Sequence, residues 1–392
     1  MTDRPNLLPQ HLGYLDGLRA LAALYVVVHH SLLQMDLTPW TTTGPGAALR
    51  IFDHGHYAVD LFIVLSGFCL MLPVAKGDGT LRGGALSFFK RRAWRILPPY
   101  YFAMIVSLLL IIFCIGEKTG THWDASVPVT MKSIVTHLFL VHDAVFLDYN
   151  INHCFWSIAV EWRIYFLFPL LVISWRHLGP LLTTIVALVL SYYLYAAIGH
   201  SIANSLHAHY IGLFALGMLA TTITCEDGFL RHLPWAAITV LLLAVVALVT
   251  SAPLWRGEVM PVHLRDYIVG LWSMSLLIMI SKSPDGLLNR FLSIRPLVFT
   301  GTFAYSIYLV HAPLIQLLWQ HVFTHLRGEP MMMFAALTVI GTPLIVLCSY
   351  VFFLFFERPF ITRKKPREQL PDNDTSRTTL SSFPQEELAH SN

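Results

Sequence analysis

Stretches of about twenty mostly apolar residues follow one another along this chain almost without a break, and no other feature restricts its fold so strongly. A helix needs roughly 20 such residues to cross a hydrocarbon core about 30 Å thick. The stretches lie near 14–35, 56–75, 97–115, 155–175, 178–199, 208–224, 234–254, 264–281, 296–320 and 331–356. They predict an all-α integral membrane protein, a bundle of about ten transmembrane helices. Only 12% of the 392 residues are charged, against about 25% in a soluble domain.

The first stretch is too long for a secretory signal, carries Asp16, Arg19 and two histidines, and lacks a small-residue cleavage site. Cysteines 69, 114, 225 and 348 fall in or beside the stretches and Cys154 stands alone. No spacing among them indicates a disulfide framework or a zinc site, and no metal is expected. A net charge of +3 is too small for nucleic-acid binding. With a cytoplasmic N-terminus, alternate connections hold 18 Lys and Arg on the cytoplasmic side and 6 on the other, with Arg19 and Arg163 inside stretches. That bias places both termini in the cytoplasm. The longest external segment, 116–154, is partly apolar and is expected on or in the membrane surface. Residues 1–360 form the membrane domain, and 361–392 read as a disordered polar cytoplasmic tail.

Ionisable groups at membrane depth are costly and mark functional sites. Arg19 and His30 are eleven residues apart, three turns plus about 20°, so they share a helix face about 16 Å apart. Asp16, one turn before Arg19, is placed to pair with it. His29 points about 100° away from His30. Asp60, Glu161 and His311 all fall in the outer third of their stretches, at the depth of His30. Four titratable groups at one depth predict an acid-base site in which a histidine is the base and a carboxylate orients it, with a structural ion-pair network as the competing reading.

A second cluster is cationic. The segment SFFKRRAWRILPPYY (87–101) reads as a cytoplasmic loop, with Pro98-Pro99 forcing a bend before the third helix. Arg92 and Arg95 lie one turn apart and can grip a phosphate together, or anchor to acidic membrane lipid. Ser66, Gly67 and Phe68 interrupt the second stretch, where small residues serve close helix packing or passage of a slender ligand. Pro313 predicts a kink just above His311.

With these marks in order, YLDGLRALAALYVVVHH (14–30), DLFIVLSGF (60–68), KRRAWRILPPYY (90–101), FWSIAVEWRIYFLFPLL (155–171), FAYSIYLVHAPLI (303–315) and FFERPF (355–360), the chain resembles the acyltransferase 3 family of integral membrane O-acyltransferases. The resemblance covers residues 11–360 and implies a multi-pass enzyme of the bacterial inner membrane that O-acylates a carbohydrate. Arg19 and His30 match the family's essential arginine and histidine, Arg92 and Arg95 its paired arginines, and Glu161 the glutamate of its fourth-span motif. Many members follow that glutamate with a second acid and a glutamine. This chain has Trp162 and Arg163 there, so Arg163 is free to balance a buried charge. Members with an appended esterase-like domain are common; the expectation for this chain is that it has no room for one, and so completes transfer itself or hands the acyl group on.

Together these readings predict acyl-CoA, commonly acetyl-CoA, as donor substrate with no tightly bound cofactor. Its phosphates would meet Arg19, Arg92 and Arg95. His30 would act as general base or acyl carrier, oriented by Glu161 or Asp60. Tyr305, His311 and Arg163 would line the acceptor pocket. The alternative is a proton-coupled transporter of a small polar or lipid-linked solute.

Overall fold

The computed structural model describes residues 12–35, 45–146, 149–197, 206–251 and 260–361. The chain divides into a unit at Met1–Phe360 and a second at Ile361–Asn392. Apart from Ile361 the second unit, and with it the expected polar tail, lies outside the described residues.

Among the described residues the secondary structure is entirely helical, and the described part of every apolar stretch falls in helix, the ninth in two pieces. The long ones are α1 (Gly13–Leu33), α2 (His56–Ala75), α3 (Gly84–Leu110), α4 (Trp156–Leu178), α5 (Pro180–Ala197), α6 (Tyr210–Cys225), α7 (Trp235–Ser251), α8 (Val262–Lys282), α9 (Ala304–Leu317) and α10 (Thr342–Phe352). Among the described residues five helical runs are long and apolar enough to cross a membrane: Ala48–Ala75, Gly84–Ile115, Trp156–Leu178, Val262–Lys282 and Pro330–Phe360. A sixth is Arg295–Gly301 with Ala304–Val322, if that pair, bent by 74°, counts as one span. Three more apolar helices, Pro180–Leu194, Tyr210–Cys225 and Trp235–Thr250, are shorter. At 1.5 Å per residue they reach about 25 Å or less, short of a perpendicular crossing. Exposed apolar side chains such as Val240, Leu241, Leu347 and Phe355 cover the outside, as hydrocarbon solvent permits. This is a multi-pass membrane protein.

Backbone contact sets the packing. In α2 and α6, Gly67 and Gly217 face each other: a Cβ on Gly67 would overlap the Phe214 carbonyl, and one on Gly217 the Val64 carbonyl. Thr221 Oγ1 donates to the Phe68 carbonyl across the same crossing at 2.8 Å. The small residues of the second stretch therefore pack helices, and α2 runs through them unbroken. α1 is seated likewise, with Gly17 against the Leu292 carbonyl and Gly301 against that of Asp16. It lies against α2 and α9, so its polar face looks into the bundle.

One local expectation needs correction. Residues 87–101 are not a loop but part of α3, which continues through Pro98 and Pro99. Each proline removes one amide donor, yet helical turns on both sides carry the run past them. The ninth stretch breaks at Thr302-Phe303, ahead of α9; Pro313 lies inside α9, which goes on into a wider turn at Leu318–Val322. Segment 116–154 folds into short helices at His122–Ser126, Met131–Leu138 and His142–Phe146. Trp123 and Ile151 are buried while Met131, Val135, Leu138 and Phe139 are exposed, so the segment packs one side on the bundle and turns an apolar side outward.

Candidate active site

Two cavities lie end to end between α1, α2, α4 and α9. The first, of about 310 Å³, is lined by Arg19, Arg92, Arg95, Glu161, Tyr165 and Tyr305 among others. Arg19 is held by Asp16 at 2.6 Å and also lies 2.9 Å from Cys69 Sγ. Arg95 pairs with the buried Glu357 at 3.1 Å, which also accepts from Ser306 Oγ at 2.5 Å. Among the described residues Arg92 pairs with no carboxylate; its guanidinium carbon sits 6.0 Å from the Phe88 ring centre, and its Nε is buried without a hydrogen-bond partner. Glu161 accepts from Tyr165 Oη at 2.5 Å. This cavity therefore offers an anion three guanidinium groups, of which Arg92 has no carboxylate to give up. Helical spacing on α3 puts Arg92 and Arg95 on one side.

The second cavity, of about 280 Å³, is lined by His29, His30, His56, His122, His153 and Cys154 among others. His30 Nδ1 lies 3.0 Å from the Val26 carbonyl and 3.1 Å from His311 Nε2. His311 Nδ1 lies 2.8 Å from the Tyr308 carbonyl and 3.1 Å from that of Ile307. Carbonyls only accept, so they fix both tautomers. His311 carries its proton on Nδ1 and accepts at Nε2; His30 carries its proton on Nδ1, which donates to His311 and Val26. His30 Nε2 is left as the basic nitrogen, 3.8 Å from Cys154 Sγ. Cys154 Sγ is also 3.4 Å from His311 Nε2. The His30 ring centre is 5.1 Å from that of His153 and 5.9 Å from that of His122. Burial holds His122 and His153 below the usual histidine range, so both are neutral near pH 7. His29 turns away, its Nδ1 2.8 Å from the Phe52 carbonyl.

Val59 and Tyr308 line both cavities. Tyr308 Oη donates to the Cys154 carbonyl at 3.1 Å and meets Ser157 Oγ at 2.6 Å. The boundary between an anion-holding space and a basic imidazole is thus one phenol and one valine thick.

The outer-depth groups separate in the structure. His30 and His311 come together; Glu161 joins the arginines; Asp60 lies against His56 and Asp266, with His56 Nε2 4.0 Å from Asp60 Oδ1. Among the described residues no hydrogen bond or ion pair joins His30 to Glu161 or Asp60, so the partner of His30 is an imidazole and not a carboxylate. Depth along a helix fixes only one coordinate, and the rotation of α2 and α4 turns these acids elsewhere. Tyr305 donates to the Ile96 carbonyl at 3.1 Å and lines the arginine cavity. Arg163 forms a two-pronged pair with Asp143 at 2.8 and 2.5 Å, balancing a buried charge as its position after Glu161 suggested. His122, His153 and Cys154 escaped the sequence reading because they come from segment 116–154. Asp266 was overlooked although, like Asp60, it is an acid inside an apolar stretch.

The model of one known family, described as an acyltransferase domain, matches residues 12–354. The chain belongs to the acyltransferase 3 family. The O-acetyltransferase OatA of Staphylococcus aureus (strain NCTC 8325 / PS 47) is 23% identical over 383 residues, covering 91% of this chain and 58% of OatA. YrhL of Bacillus subtilis (strain 168), named as a peptidoglycan O-acetyltransferase, is 24% identical over 396 residues, covering 90% of this chain and 56% of YrhL. The chain thus spans somewhat over half the length of these relatives. No solved structure matches it. The match takes in Arg19, His30, Arg92, Arg95, Glu161 and His311, and so the walls of both cavities.

Proposed function

We propose that this protein transfers an acyl group, most simply acetyl, from acyl-CoA to a hydroxyl of a carbohydrate or glycoconjugate, within the inner membrane. The observation that carries the reading is the pair of abutting cavities, one cationic and one basic, opened by a single face of α1. CoA phosphates bind against Arg92, Arg95 and Arg19, and the slender pantetheine arm passes Val59 and Tyr308 to bring the thioester to His30. Bidentate guanidinium contacts suit phosphate oxygens. His30 Nε2 takes the acceptor hydroxyl's proton as the hydroxyl oxygen attacks the thioester carbonyl, the C–S bond breaks and the departing CoA thiolate receives that proton; alternatively Nε2 attacks the carbonyl itself, expels the CoA thiolate and passes the acyl group to the acceptor oxygen, whose proton goes to the thiolate. His311 Nε2 stabilises the imidazolium by accepting from His30 Nδ1–H, the role a carboxylate has in a triad. The name of YrhL points to peptidoglycan as an acceptor to try first.

We further infer that the ten helical stretches all cross or enter the bilayer with both ends cytoplasmic, which puts the arginine cavity on the CoA side. Under this reading wild-type protein in lipid releases CoA from acetyl-CoA only when a glycan acceptor is present, and His30→Ala does not. A transporter would instead accumulate solute in vesicles without releasing CoA, and that result would sink the reading.

A further inference from the structure

Four side chains of a third group stand apart from the arginines and from the His30–His311 pair. His56 and Asp60 are one turn apart on α2, Asp266 lies near the start of α8, and His209 caps α6. His56 Nε2 is 2.9 Å from Asp266 Oδ1 and 4.0 Å from Asp60 Oδ1, and His209 Nε2 is 2.9 Å from Asp266 Oδ2. Both carboxylates are 0% exposed. Both oxygens of Asp60 are sealed from solvent, and their polar neighbours are His56 and the Tyr210 hydroxyl. Among the described residues neither carboxylate pairs with a lysine or arginine. Two carboxylates buried in a membrane bundle cost several kcal/mol each unless a positive charge meets them.

One doubly charged ion between them would neutralise both carboxylates. The donor atoms of His56, Asp60 and Asp266 all lie within 4.8 Å of one another. A tetrahedral zinc site with bonds of about 2.0–2.1 Å sets its donors about 3.3 Å apart, so small side-chain rotations close the set. Imidazole with carboxylate is a donor pair that zinc favours, while magnesium and calcium prefer oxygen alone. The side chain of His56 is 35% exposed and lines the histidine cavity, which gives an ion a way in. We propose that His56, Asp60 and Asp266, with His209 as fourth donor, bind a divalent cation of the zinc type. The site ties α2, α6 and α8 together beside the histidine cavity, and would do so whether or not the chain transfers acyl groups.

The test uses the full chain in detergent, stripped with chelator, then titrated with Zn²⁺ against a competing dye and assayed for bound metal by mass spectrometry. Wild type is expected to bind one equivalent, and Asp60→Asn and Asp266→Asn to bind at least about tenfold more weakly, since even outer-shell losses cost 10–100-fold. His153→Ala should bind as wild type does, because the other grouping of donors, His30, His153 and Cys154, is a separate one. Should the Asp variants fail to fold, wild type alone supplies a second reading: its melting temperature should rise with Zn²⁺ and not with Mg²⁺. No retained zinc in wild type, equal affinity in the Asp variants, or loss confined to His153→Ala would each overturn the proposal.

Discussion

Arg19 and His30 stand eleven residues apart on α1, and each opens into a different cavity. The common face follows from helical periodicity alone, but the proton on His30 does not. It follows from Val26 and His311, whose acceptor atoms hold that proton on Nδ1. Under the proposed mechanism His30→Ala should lower kcat by about 10²–10⁴-fold, the usual worth of a general base. His311→Ala should lower kcat more than about tenfold with the KM for acetyl-CoA little changed, because it orients and stabilises His30 without touching the donor. Steady-state CoA release separates the two parameters. Arg163 makes a different prediction: Arg163→Met leaves the buried Asp143 charge unpaired and should cost about 3 kcal/mol, whereas adding Asp143→Asn should restore much of it. Thermal unfolding in detergent reads both.

Helices were legible and connections were not. Each apolar stretch became a helix because burial in hydrocarbon leaves the backbone no other partner than itself. The prolines at 98 and 99 misled, since donor loss at two amides is small beside the turns flanking them in α3. Histidines 122 and 153 reach His30 from a segment whose path depends on contacts far apart in sequence, and no periodicity foretells it. Glu161 and Asp60 face partners other than His30, because hydropathy does not specify helix rotation. The α2–α6 crossing supplies a test at this scale. Gly217→Val drives a side chain into the Val64 carbonyl and should destabilise by about 1–3 kcal/mol, the cost of overpacking. Gly228→Ala, with nothing within 4 Å of its added carbon, should melt as wild type does.

At the scale of the whole molecule, orientation rests on the distribution of lysine and arginine across connections. Alkaline phosphatase fused after Lys118 should be active and after Arg176 inactive; the reverse pattern would put the arginine cavity on the side without CoA. The central claim is that one cavity holds the donor's phosphates and its neighbour performs the transfer. The most direct measurement is the kinetic comparison of wild type, Arg92→Ala and His30→Ala in lipid, with acetyl-CoA varied at saturating peptidoglycan fragment. The account predicts that Arg92→Ala raises KM for acetyl-CoA at least about tenfold while keeping most of kcat, and that His30→Ala abolishes kcat while acetyl-CoA still binds. A folded His30→Ala protein with full turnover, or an Arg92→Ala protein with unchanged KM, would contradict it.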